Sequence, residues 1–255
     1  MDIRRAGKSD GFPVIALHGI QGTSDAWMPL ATALGDTYRF VLPNLPGRGD
    51  APYPTSPQAC SATAYARIVS DVIEQEVGDH PYALAGWSMG VSVILELMAQ
   101  WADGATRHPP PAAVMLISGT AQLNEVAWFK SAAPTALLAE IAQREVRLGL
   151  KRAAHPQVVA WTWDALKPVS HLANLTHVTM PALIVHGDAD EDCPVDHAHR
   201  MREGIRDATL CVIPCAGHAL LTQNTQDVGA AMRAFLAQHC APSTPAAPVH
   251  HETTL

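Results

Sequence analysis

The stretch that decides the fold is ALAGWSMGVSVILELM, residues 83–98. Its first part is small, apolar and β-prone, and its second part is helix-forming. At the join stands Gly86-Trp87-Ser88-Met89-Gly90, a hydroxyl between two glycines. A chain that turns this sharply from strand to helix strains the residue at the turn. Glycines two positions either side let strand and helix approach closely. The hydroxyl then stands at the carboxyl end of a strand, above a helix amino terminus. Free N–H groups and the helix dipole there favour developing negative charge.

The same alternation extends outward. Residues 12–19, 39–44, 82–86, 112–118, 182–187 and 209–214 are short apolar runs that read as buried strands. Most are near-continuous in apolar residues, as parallel strands covered on both faces should be. Helical patterns fill about 24–35, 61–77, 88–101, 195–204 and 224–239. Strands alternating with helices predict an α/β fold: a mostly parallel central sheet with helices on both faces. The alternation breaks once, over 120–178, where the pattern is helical and Trp128, Phe129, Trp161 and Trp163 gather. The expected organisation is therefore a core from 1–119 and 179–240, a helical insertion at 120–178, and a disordered Pro/Ala/Thr-rich tail at 241–255.

Composition narrows the function classes. The 255 residues are 48% hydrophobic with a formal net charge of −7, which argues against nucleic acid as the partner. The one apolar run near the start, Phe12–Leu17, is too short for a membrane span or a signal-peptide core. Five irregularly spaced cysteines read as reduced thiols, and the cytoplasm is the expected location.

A serine hydroxyl needs a base, and the base an orienting acid. Leu183–Gly187 runs into the acidic loop Asp188-Ala189-Asp190-Glu191-Asp192, closed by Cys193-Pro194, and Gly217-His218 follows the last predicted strand. Asp188, Asp190 and Asp192 all qualify as the acid. Their spacing also copies the start of a calcium loop, but Cys193 and His199 stand where that loop needs Gly and Glu. No metal or organic cofactor is expected. His197 and His199 read as surface residues.

Five pieces together carry a resemblance: His18-Gly19, Leu45-Pro46-Gly47-Arg48-Gly49, the serine turn, Gly187-x-x-Asp190-x-x-Cys193-Pro194, and Gly217-His218. In these the chain resembles the α/β-hydrolase superfamily over about residues 11–240. The resemblance implies Ser88 as nucleophile, His218 as base, Asp190 as orienting acid, and 120–178 as a cap over the site. Arg48, where many relatives carry His, Phe or Tyr, and Val91, where many carry a third glycine, depart from the pattern. The oxyanion donors expected are the backbone N–H groups of Met89 and Ile20, with Gln21 second to Ile20. His18 is expected to brace the loop. Trp87, Gln21, Trp128 and Trp161 are the candidate pocket residues.

Across 119–179 six Lys/Arg stand against four Asp/Glu, a local +2 on an acidic chain. Arg144, Arg147 and Lys151 fall at i, i+3 and i+7, one helical face. With the Gly-Trp-Ser turn, this is similar to the pimeloyl-acyl-carrier-protein methyl esterases, and that resemblance implies an acidic carrier protein docking at the cap.

The expected activity is hydrolysis of a small-molecule carboxylic ester through an acyl-enzyme on Ser88. The alternatives are a carrier-protein methyl ester or thioester hydrolase, a carbon–carbon (diketone) hydrolase, and a small-molecule receptor on a hydrolase fold.

Overall fold

The computed structural model describes residues 1–240; the predicted tail lies outside the described residues. Seven strands form one sheet: β1 Asp2–Gly7, β2 Phe12–Leu17, β3 Tyr38–Asn44, β4 Ala83–Trp87, β5 Ala113–Ile117, β6 Ala182–Gly187 and β7 Ala208–Ile213. Their order is β1-β3-β2-β4-β5-β6-β7. All neighbours are parallel except β1 against β3. The helices are α1 Met28–Ala33, α2 Ala62–Glu76, α3 Met89–Ala102, α4 Pro134–Arg147, α5 Pro156–Leu166, α6 Asp196–Gly204, α7 Leu220–Gln223 and α8 Thr225–His239.

The near-continuous apolar strands follow from two cores. Ile15, Leu17, Leu84, Val114, Leu116 and Ile184 face one cluster with α2, α3 and α6. Val14, Ala16, Ala83, Ala85, Met115 and Val185 face the other with α1 and α8. Successive strand residues point to opposite faces, so a strand buried on both sides has no polar alternation. Ser61 caps α2, its hydroxyl accepting the Ala64 N–H at 3.2 Å.

Three predictions differ from the structure. β1, sequence DIRRAG, went unread because an edge strand with one wet face needs few apolar residues. The run 209–214 reads as a buried strand, but β7 forms the far edge and exposes Thr209 and Val212. The helix predicted over 24–35 is a single turn at Ser24–Trp27 followed by α1.

Between β5 and β6 the chain runs through α4 and α5 and adds no strand to the sheet beyond one bridge, Gln122 to Ser170. Its interior is not separate from the main core. Trp128, Phe129, Leu137, Ile141 and Val158 belong to the same apolar cluster as α2 and α3.

Candidate active site

The turn after β4 has the conformation its glycines predict. Ser88 sits at φ 56°, ψ −116°, a region that L-residues adopt only under constraint. A Cβ on Gly86 would lie 2.5 Å from the Gly90 carbonyl carbon, and one on Gly90 would lie 2.6 Å from the Leu17 oxygen. Both glycines are therefore needed where α3 crosses the strand ends. Val91, one of the two departures, fills space that Gly119 leaves: a Cβ there would lie 2.4 Å from the Val91 side chain.

Sequence-distant residues converge on the serine. His218 Nε2 is 2.9 Å from Ser88 Oγ. His218 Nδ1 faces both oxygens of Asp190, at 2.9 and 3.0 Å. Asp190 Oδ1 also accepts the N–H groups of Asp192 and Cys193, which fixes the carboxylate in the loop after β6. All three residues are buried, Ser88 at 1% exposure. Of the three candidate acids, Asp190 alone meets His218 Nδ1. Asp188 accepts the Cys215 N–H at 2.6 Å, and Asp192 faces two arginines.

Ile20 and Met89 are buried beside the serine turn, and among the described residues no backbone acceptor takes either N–H. The loop carrying Ile20 is held from behind. His18 Nδ1–H donates to the Gly19 carbonyl at 2.8 Å, and Nε2 accepts the Leu45 N–H at 3.1 Å. Burial, with the Arg48 charge, pulls the His18 imidazole down to about 3, so the ring is neutral and can accept at Nε2. Arg48, the other departure, is fully buried. It donates to the Ile20 and Pro46 carbonyls, the Tyr65 hydroxyl and Thr162 Oγ1, tying the Ile20 loop to α2 and α5.

The four pocket candidates have different surroundings. Gln21 is clasped by α4: its Nε2 donates to the Ile141 carbonyl and its Oε1 accepts from Arg144, both at 2.8 Å. Trp128 donates to the Asp192 carbonyl and packs on Trp163, with centroids 5.4 Å apart. Trp87 lies against the histidine, donating to the His218 carbonyl at 3.0 Å. Trp161 is half-buried against the exposed Tyr53, with ring centroids 5.9 Å apart. A cavity of about 650 Å³ opens beside Trp87, between Met28, Pro29, Leu148, Leu150 and Leu221, with Lys151 and Arg152 on its lining. Neither Ser88 nor His218 lines it.

The predicted basic face needs correction. Arg144 points inward and is 5% exposed, Arg147 is committed to Asp192 at 2.6 Å, and only Lys151 lies free on the outside. The missed signal was the apolar stripe Leu137–Ile141–Leu148, which passes through position 144 at helical spacing. Burial tends to raise the Asp192 carboxyl, but the Arg144 and Arg147 charges outweigh it and hold the group below its usual range. His197 is likewise buried, with Nδ1 2.9 Å from Thr120 Oγ1. No helix among the described residues is long and apolar enough to cross a membrane.

The chain is 22% identical over 240 residues to a pimeloyl-[acyl-carrier protein] methyl ester esterase of Nitrosomonas europaea, covering 82% of this chain and 90% of that protein. The structure resembles a thermophilic esterase from Thermogutta terrifontis, with a TM-score of 0.73, 20% identity and 93% of each chain covered. It also resembles an esterase from Exiguobacterium antarcticum, with a TM-score of 0.74, 20% identity, and 92% and 94% covered. At such identities the structural likeness speaks for the fold. The profile of the alpha/beta hydrolase family matches residues 14–231, and the chain belongs to that family.

Proposed function

We propose that the chain is a serine hydrolase that cleaves a carboxylic ester through an acyl-enzyme on Ser88. The observation that carries this reading is the unbroken relay from Ser88 Oγ through the His218 ring to the Asp190 carboxylate. Ser88 attacks the ester carbonyl while His218 Nε2 takes its proton. Asp190 holds the Nδ1–H tautomer and stabilises the imidazolium. The Ile20 and Met89 N–H groups receive the charge on the carbonyl oxygen. His218 then protonates the departing alcohol and later activates the water that frees the acid.

Residues 120–178 act in this reading as a cap, with Gln21, Trp128 and Trp87 bordering the substrate. The burial of Ser88, 1% exposed, supports this. Five free thiols favour a reducing compartment such as the cytoplasm. The Nitrosomonas relative favours a second reading, a carrier-protein methyl ester as substrate, with Lys151, the one of the three predicted cations without an ion pair among the described residues, offered to the acidic carrier.

The test is initial rate on p-nitrophenyl esters of increasing acyl length, wild type beside Ser88→Ala, with fluorophosphonate labelling in parallel. Turnover and labelling that both vanish in Ser88→Ala are expected. Labelling without turnover of any ester would favour the receptor alternative, and turnover surviving in Ser88→Ala would end the acyl-enzyme reading.

A further inference from the structure

The acid of the relay has a second imidazole beside it. His186, near the end of β6, is fully buried. Its Nε2 lies 2.6 Å from the Cys193 carbonyl oxygen and 3.6 Å from Asp190 Oδ2. Neither the His186 nor the Asp190 side chain has any exposed surface. The other ring nitrogen, Nδ1, is buried with no hydrogen-bond partner among the described residues.

These surroundings fix the proton on the ring. Both atoms beside Nε2 are acceptors, so Nε2 carries the hydrogen and donates to Cys193. Nothing accepts from Nδ1, so that nitrogen stays bare. Burial pulls the imidazole below its usual range, against the opposite pull of the Cys193 carbonyl and the Asp190 charge, and this keeps the ring neutral. His186 is therefore a single-proton donor set between a carbonyl and a carboxylate, and neither a base nor an ion-pair partner.

The two oxygens of Asp190 are held unequally. Oδ1 accepts the N–H groups of Asp192 and Cys193 as well as His218 Nδ1. Oδ2 has His218 Nδ1 as its one hydrogen-bond partner among the described residues. Beside that oxygen stands the His186 N–H. Cys193 is gripped at both ends, its N–H by Asp190 Oδ1 and its carbonyl by His186. One ring thus closes the acid loop and backs the oxygen that the loop leaves unheld. A stitch for the loop alone needs no place beside Oδ2, and a buried nitrogen without a partner is costly.

We propose that His186 is a positioning residue for the reaction: its Nε2–H, held by the Cys193 carbonyl and set against Asp190 Oδ2, keeps the carboxylate turned so that both oxygens meet His218 Nδ1. The role rests on the ester-hydrolase reading of Ser88. It acts through Asp190, since His186 makes no hydrogen bond to Ser88 or His218. Without the donor, the Cys193 carbonyl and the carboxylate lose the positive hydrogen between them, the acid turns, and His218 loses its alignment on the serine hydroxyl. That alignment matters in the transition state and not in substrate binding, so kcat falls and KM does not.

The test compares His186→Phe, which keeps the bulk of the ring without its N–H, with His186→Gln, whose amide N–H takes the place of Nε2–H. kcat and KM are read on the best p-nitrophenyl ester and the fluorophosphonate labelling rate beside them, with near-ultraviolet circular dichroism reporting the fold. In His186→Phe kcat and labelling rate are expected to fall about tenfold at unchanged KM, and in His186→Gln to return to within about threefold of wild type. On an Asp190→Asn background His186→Phe should cost nothing further. If His186→Phe does not fold, His186→Asn, whose shorter amide falls short of Cys193, takes its place with the same expectation. A folded His186→Phe with wild-type kcat, equal losses in the Phe and Gln variants, or the full loss repeated on the Asp190→Asn background would each overturn the proposal. Wild type that neither turns over esters nor labels would end the hydrolase reading itself, and the proposal with it.

Discussion

Asp190→Asn changes one atom of the relay, and its cost can be worked from the contacts. Oδ1 of Asp190 accepts two backbone N–H groups, from Asp192 at 3.0 Å and Cys193 at 2.9 Å. An asparagine keeps its oxygen toward those donors and turns its NH2 toward His218 Nδ1, where Oδ2 stood at 2.9 Å. Nδ1 must then accept, which moves the ring proton to Nε2. That nitrogen can no longer take the Ser88 proton. The carboxylate charge is lost as well. Opposite charges about 4 Å apart at an effective dielectric of about 20 attract by roughly 4 kcal/mol. Removing that from the imidazolium-bearing transition state slows the reaction about 10³-fold, with the tautomer penalty added. The assay is kcat on the best p-nitrophenyl ester, with fluorophosphonate labelling rate as a second measure. Asp188→Asn, which touches only the Cys215 N–H, should leave kcat unchanged, and Asp192→Asn should cost less than Asp190→Asn. The reasoning is refuted if Asp190→Asn stays within tenfold of wild type, or if Asp192→Asn costs as much.

Three further outcomes are expected. Arg48→Lys keeps the charge but loses the fork that reaches Ile20, Tyr65 and Thr162 together; kcat should fall roughly tenfold with KM little changed, and equal steady-state constants would remove Arg48 from this positioning role. His18 stays neutral in the fold down to about 3, whereas the unfolded chain takes up that proton below about pH 6.5. Stability should therefore be full above that pH and fall as pH drops toward 3, with His18 contributing up to about 1.4 kcal/mol per pH unit. His18→Gln should flatten the urea-derived slope by about one proton between pH 6 and 4, and an unchanged slope would contradict this. Gly90→Ala drives a Cβ against the Leu17 oxygen and should destabilise by on the order of 3 kcal/mol; a thermal midpoint equal to wild type would show that α3 can shift away from β2.

The residues around Ser88 made the centre of this fold legible without coordinates. Strand, glycine, serine, glycine and helix follow one another because local sterics impose them, and local sterics are written in neighbouring residues. The buried strands were readable for the same reason, since burial on both faces removes polar alternation. β1 was not, because an edge strand is held by backbone pairing to β3, to which side-chain pattern contributes little. By residue type alone the acid loop offered three carboxylates, and the resemblance pointed to Asp190 among them. Only the fold determined that Asp190 turns to His218 while Asp192 turns to Arg144 and Arg147. The charge of α4 was visible as composition, but its direction was not. Three cations at helical spacing read as a solvated face until the stripe through Leu137 and Ile141 fixed the helix's rotation and drew Arg144 inside. The sequence by itself determined the sharp turn, the layered sheet and the order of serine, acid and histidine, which depend on near neighbours. The tertiary structure alone decided which carboxylate lies against the histidine and which arginine is buried, because those choices depend on segments tens of residues apart packing into one dry space.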